Sequence, residues 1–287
     1  MFILRFDGVA GQALNFHMSK VNWQVSWLVS YVFNIPIHGN VRLKRVMDNV
    51  KVDVQLHTFW RCSNVMAMER MGYTDHGPTH VKIVANLALK LLRILVAQNV
   101  KPSIVKDYNM ANEDAEVVVV LGSIFHDLGM VVTRRDHEKY GVLLAREFIE
   151  KCCTPVYSEE ERAIICSEVL HAIVAHEVPN KPLTVEAGIV GIADALDMEA
   201  GRARIPFQAG KIDIHAVSAL SIEKVEVVEN GKKPITIKIR MSNSAGVFQI
   251  DELLKPRIEI SGLQTYFHVV AEITGEKETK IIKKFEI

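Results

Sequence analysis

The sequence predicts an α+β protein: a mainly α-helical bundle over residues 1–210, then a small C-terminal module over residues 211–287 with an open antiparallel sheet and one helix in a sandwich-like β-β-α-β-β order. Three observations predict this. From Asn40 to Met198 apolar residues recur at three- and four-residue steps, the period of a buried helix face. Near Pro206 to Lys211 that period gives way to short alternating stretches, the pattern of half-buried strands. Asn230-Gly231, a hairpin turn signal, stands between two of these stretches.

Composition narrows the function classes. A chain of 287 residues, 49% of them hydrophobic, can bury a normal core. Lys plus Arg equals Asp plus Glu at 34 each, so no basic excess points to nucleic acid as the main partner. The four cysteines, Cys62, Cys152, Cys153 and Cys166, have neither disulfide-framework nor metal-ligand spacing, which predicts a reducing, cytoplasmic setting. Val21 to Ile37 is the one stretch with near-spanning length, but Asn22, Gln24, Ser26, Ser30, Asn34 and Pro36 interrupt it, so a buried helix is expected and no membrane span. The start of the chain lacks the pattern of a signal peptide and reads as irregular to about Met18.

Taken in order, Asn40 to Met71 predicts a long helix broken once, its Met66 and Met68 serving as core filler. Gly72 to Gly77 reads as a turn, and Pro78 opens a helix whose stripe Val84, Leu87, Ala88, Leu91, Leu92 and Leu95 continues the face that carries His80. Asn112 is expected to cap the next helix, with Glu113, Asp114 and Glu116 in its first turn and Val117 to Phe125 as its buried body. His126 and Asp127 fall at its end, and Gly129 is expected to close it in the left-handed conformation. His137 opens another amphipathic helix, Ser158 and Glu161 form a capping box ahead of a helix ending at His176-Glu177, and a last helix runs from about Thr184 to Met198. In the C-terminal module, Ser221 to Val228 and Pro234 to Met241 read as a hairpin, Phe248 to Ile260 as a helix, and Tyr266 to Thr274 and Lys280 to Ile287 as strands.

His80, His126, Asp127, His137, His176 and Asp194 interrupt these apolar helical faces. Four imidazoles and two carboxylates in one bundle are costly to bury unless something common satisfies them, and a cation or a pair of cations does so. His171, five residues from His176 and about 140° round the helix, should stand apart from the set. His215 and His268 in the C-terminal module are expected to be structural.

The order and contexts of these residues resemble the HD superfamily of metal-dependent phosphohydrolases: His80 in His-Val-Lys-Ile-Val-Ala, His126-Asp127 in Phe-His-Asp-Leu-Gly, and Asp194 in Ile-Ala-Asp-Ala-Leu-Asp. The resemblance covers about residues 72–205, and Gly72 to Gly77 leading into His80 is similar to a prokaryotic subgroup. It implies a binuclear site in which Asp127 bridges, His80, His126 and Asp194 complete one metal, and His137 and His176 hold the other. His126 and Asp127 would be the catalytic pair. The metals, two divalent ions drawn from Mn, Fe, Ni, Zn or Mg, would activate water against a phosphate ester of a nucleotide or related small phosphorylated molecule.

One position departs from the family pattern, because Met130 stands where many members carry a phosphate-facing Lys. His76, Arg202 and Arg204 are the alternative candidates for phosphate contact. Asp197 is either a carboxylate behind the ligands or a partner of Arg202. The same superfamily includes di-iron oxygenases, and a non-catalytic nucleotide-binding regulatory module is a third reading. A homo-oligomer is expected, with the C-terminal module making the subunit contact or shaping the entrance to the site.

Overall fold

Asn40 sets off the helical bundle: its side-chain oxygen accepts the Leu43 N–H at 2.8 Å and caps α1 (Val41–Val52). The computed structural model describes residues 33–200 and 218–275 and the backbone of 284–286. Residues 33–37, expected to be the end of a helix, are non-helical. Pro36 has no N–H to give a helix and drives Ile35 away from the helical region. Phe33 instead stacks on Trp60 with ring centroids 5.2 Å apart. The rest of the expected 21–37 helix and the irregular start lie outside the described residues.

The single break expected between Asn40 and Met71 falls at Asp53. Its carboxylate accepts the Leu56 N–H at 2.9 Å and so starts α2 (Val54–Asn64), which runs on as a π-helical turn, Val65–Arg70. α3 (Pro78–Ala97) buries Val84, Ala88, Leu91, Leu92 and Leu95, with His80 buried in its first turn, while Leu87 is only partly covered. After the short α4 (Ser103–Tyr108) comes α5 (Asn112–Phe125), apolar and buried on nearly all sides, as a helix at the centre of a bundle must be. It packs against α3, α7 (Glu159–Ala175) and α8 (Val185–Leu196). Asn112 is the first residue of α5 rather than its cap. That place falls to Ala111, whose N–H is taken by the Asp114 carboxylate at 2.9 Å, a reach from inside the first turn that frees Asn112 from capping. The Ser158–Glu161 capping box forms as expected, and Thr184 caps α8 through the Ala187 N–H. α6 (His137–Cys153) completes the bundle.

The C-terminal sheet has the order β1 (Ile222–Glu229), β2 (Ile235–Met241), β3 (Phe267–Ile273), β4 (Lys284–Glu286). β1 and β2 form the expected hairpin, with Asn230 in the left-handed region at φ +57°. The sheet is mixed, not antiparallel. Between β2 and β3 lies α9, made of Val247–Gln249, a π-helical turn Ile250–Leu254 and an α-helical end Lys255–Ile260. This crossover returns the chain to the end of the sheet where β2 began, so β3 enters parallel to β2. α9 also packs on α8, which joins the module to the bundle. His268 is buried in β3. The boundary near residue 210 and His215 lie outside the described residues. All four cysteines are free, and no helix among the described residues is long and apolar enough to cross a membrane.

One buried acid makes stability depend on pH. Glu168 on α7 is covered, with one carboxylate oxygen lacking a hydrogen bond. Burial, reinforced by Glu186 and Asp107, pushes its pKa up to about 7. A folded-state pKa above the unfolded one contributes stability below the unfolded pKa that is lost as pH rises through the folded pKa. Thermal stability is therefore expected to fall as pH rises from about 4.5 to 7.5. Glu168→Gln should flatten that limb and gain on the order of 1 kcal/mol at pH 8. Melting curves of the two proteins that superimpose at pH 8 would contradict this.

Candidate metal centre

Each histidine of the predicted set uses Nδ1 to fix its ring. His126, just past the end of α5, donates from Nδ1 to the Ser123 carbonyl at 2.7 Å. His176, just past α7, does the same to the Ile173 carbonyl at 2.6 Å. His137, first residue of α6, has Nδ1 3.1 Å from both the carbonyl oxygen and the Nη1 of Arg134. His80 turns Nδ1 to the Asp197 carboxylate at 2.6 Å. For His80, His126 and His176, donation from Nδ1 leaves Nε2 unprotonated in the neutral ring, which is the atom a metal needs.

The Nε2 atoms converge. His80 and His126 bring theirs to 3.1 Å, and His137 and His176 bring theirs to 3.1 Å. Asp127 lies between the two pairs and divides its oxygens. Oδ2 is 3.2 Å from His80 Nε2 and 3.1 Å from His126 Nε2, while Oδ1 is 3.2 Å from His137 Nε2. Asp194, reaching in from α8, places Oδ1 3.2 Å from His80 and 3.6 Å from His126. All six predicted residues are thus brought together, and the histidines and Asp127 are buried.

Burial opposes charge on His126, His137, His176, Asp127 and Asp194, yet the electrostatics resolve in favour of ionised carboxylates. His126 would be depressed by burial, but Asp127 and Asp194 lift it to about 9. Asp127 and Asp194, also penalised by burial, are held well below the usual carboxylate range by the surrounding imidazoles. His176 is pushed well below its ordinary value by burial and by His126 and His137. A cluster so arranged already expects positive charge at its centre.

Comparison with known proteins decides the family. The HD domain profile matches residues 78–199, which span the first histidine to the last carboxylate of the cluster. The chain is also 44% identical to "Uncharacterized protein MJ1020" of Methanocaldococcus jannaschii over 234 residues, 82% of this chain and 90% of that one. The chain belongs to the HD-domain family. The buried His/Asp groups of this HD domain can hold metal ions.

Within the HD domain, Gly129 acts differently from the expectation. It does not close α5 with a left-handed residue, and its φ is not positive. The chain continues through a 3₁₀ turn, Leu128–Val131, and that turn presses on α6. A Cβ on Gly129 would overlap the His137 carbonyl oxygen and stand 2.6 Å from the Gly141 nitrogen. Glycine is required because two backbones meet, and this contact is what carries His137 to Asp127. Met130 is fully buried in the same turn.

Of the remaining predicted residues, Asp197 lies behind His80, its Oδ2 2.6 Å from His80 Nδ1, while Arg202, its other expected partner, lies outside the described residues. Asp197→Asn is therefore expected to lower metal affinity by about 10–100-fold. Metal titration with the melting temperature of the metal-free protein as control checks this, and unchanged affinity would contradict it. His171 stands apart as expected, accepting the Leu183 N–H at 2.9 Å. His76 is buried, with its ring 5.8 Å from that of His80. Arg202 and Arg204 lie outside the described residues.

Arg257 and Glu177 at the site escaped the sequence reading as functional residues, as did Arg134, 3.5 Å from Glu177. Arg257, on α9, lies with Nη2 3.5 Å from Asp194 Oδ2 and 3.2 Å from Glu177 Oε2, and donates from Nε to the His176 carbonyl at 3.2 Å. Glu177 itself lies beside the His137–His176 pair. Adjacency to His176 was a signal for Glu177. Nothing local marks Arg257, whose contacts to Asp194 cross 63 residues of sequence.

Proposed function

We propose that the protein is a metal-dependent phosphohydrolase that cleaves a phosphate ester of a nucleotide or a related small phosphorylated molecule. The observation that carries this reading is the divided carboxylate of Asp127, one oxygen toward each histidine pair. His80, His126 and Asp194 would hold one divalent ion, His137 and His176 a second, and Asp127 both. The residues fit such ions on two counts. Asp127 Oδ2 is buried with only the Nε2 atoms of His80 and His126 beside it, at 3.2 and 3.1 Å, and once those nitrogens are unprotonated only a cation between them satisfies it. Neighbouring donors around an ion with bonds of about 2.1 Å lie roughly 3.0–3.4 Å apart, and the Nε2 and carboxylate separations within each half of the cluster fall close to that range, from 3.1 to 3.6 Å.

When bound, paired divalent ions supply a low-pKa water and neutralise phosphate oxygens. The chain's own residues do the rest. The four Nδ1 contacts lock each ring, so the donor atoms are in place before substrate arrives. The apolar body of α5 excludes bulk water from beneath the cluster. His76, close enough to His80 and Asp127 to influence both, supports the reading of it as a phosphate contact. Arg202 and Arg204 are proposed for the same role, and a homo-oligomer in the cytoplasm for the assembly and its place.

Purified protein loaded with Mn is expected to release phosphate or nucleoside from members of a nucleotide panel, to stop on chelation and to resume on metal return. A metal-loaded protein that cleaves nothing in monoester and diester panels, or His126→Ala and Asp127→Ala variants as active as the parent, would overturn the reading.

A further inference from the structure

The cluster opens to solvent unevenly. The side chains of His80 and His126 have no exposure, whereas Asp194 is 14%, Glu177 28% and Arg134 38% exposed. Among the described residues this is the more exposed side of the cluster. It is also where two guanidinium groups meet a single carboxylate. Arg134 Nη2 lies 3.5 Å from Glu177 Oε1, and Arg257 Nη2 lies 3.2 Å from Glu177 Oε2, so each arginine faces a different oxygen of the same acid. The Glu177 carboxylate is within 4.8 Å of ligand nitrogens of both His137 and His176.

We propose that Arg134 and Arg257 form an anion-binding slot beside the His137–His176 pair, that Glu177 fills it as an internal placeholder, and that a phosphate group of the substrate displaces Glu177 from it. Identifying the anion as phosphate rests on the phosphohydrolase reading; the slot itself rests on the side chains.

Three features distinguish this from an ordinary surface ion network. First, Arg257 is buried and pre-aimed. Its Nε and Nη1 donate to the His176 and Leu253 carbonyls, which leaves Nη2 directed at Glu177 and Asp194. A buried guanidinium needs counter-charge, and planar forks of this kind suit carboxylate and phosphate alike. Second, the charge balance calls for a further anion. Once two divalent ions occupy the cluster, Asp127 and Asp194 together with Asp197 and Glu138 beside its histidines balance their charge, and two arginines against one glutamate leave the rim positive. Third, Glu177 can leave. It lies past the end of α7, outside any helix, and is partly exposed already. The slot also supplies the cation that Met130 cannot, with Arg257 coming from the C-terminal module on α9 and Arg134 from the connection ahead of α6.

The test is calorimetric titration of inorganic phosphate into full-length, Mn-loaded protein, with metal content measured on every sample. Glu177→Gln should bind phosphate about tenfold tighter than the parent, since the competing carboxylate is gone. Arg134→Gln should bind it about tenfold more weakly, and should reverse the gain when combined with Glu177→Gln. Arg257→Lys, which keeps charge but loses the fork, should fall between. Because Arg257 is buried, the Arg134 and Glu177 variants carry the test. The slot is overturned if Glu177→Gln binds phosphate no tighter than the parent, or if it loses metal, which would make Glu177 a ligand instead. The two proposals fail separately. Phosphate affinities that follow this order in a protein that hydrolyses nothing would leave the slot standing and remove the phosphohydrolase, whereas hydrolysis with phosphate affinity indifferent to both variants would remove the slot alone.

Discussion

Asp127→Asn is expected to lower metal-dependent turnover by about three orders of magnitude or more. The carboxylate sits between two histidine pairs, 3.1–3.2 Å from three Nε2 atoms. An amide keeps the shape but offers one oxygen where two are needed, and its NH₂ cannot bind a cation. Metal content should fall together with activity. The fold should survive, because His126, which owes its pKa of about 9 to Asp127 and Asp194, can give up its proton and leave no stranded charge. Circular dichroism of the metal-free variant separates loss of metal from loss of structure. A variant that keeps full activity would contradict the bridging role, and a variant that unfolds would contradict the electrostatic account.

Gly129→Ala should have the largest effect of any single methyl added to the bundle. The atoms a Cβ would meet are backbone, the His137 carbonyl and the Gly141 nitrogen, so no side chain can rotate away and α6 must retreat from the 3₁₀ turn. The expected cost is about 3 kcal/mol or more, a fall in melting temperature of roughly 6–12 °C for a chain of this size. Since His137 rides on the displaced end of α6, occupancy of the His137–His176 side should fall more than that of the His80–His126 side. Differential scanning calorimetry and metal titration check the two halves of this prediction. A melting temperature within 1 or 2 °C of the parent would show that the two backbones are not in the contact described.

Much of this architecture was legible in the sequence, for a physical reason. A helix at the centre of a bundle shows a period of 3.6 with few polar interruptions, so imidazoles and carboxylates that interrupt it stand out, and the six residues read that way are the six that converge. The elements that escaped depend on contacts between distant backbones. A glycine after a helical His-Asp looks like a left-handed cap, and only the approach of α6 shows that it is a packing glycine. Alternation identifies β2 and β3 as strands but carries no direction, so the parallel pairing made by α9 was invisible. Arg257 sits in a helix with an ordinary composition, and its role comes from partners on α8 and at the end of α7. The end of the predicted 21–37 helix failed at Pro36, where a local rule outweighed apolar length.

The most direct measurement of the central claim is metal stoichiometry. Elemental analysis of protein equilibrated with excess Mn and then freed of unbound ion should find about two ions per chain in the parent and a marked loss in Asp127→Asn. A parent that binds no metal, or an Asp127→Asn variant that retains as much as the parent, would contradict the assignment of these histidines and carboxylates as a metal centre bridged by Asp127.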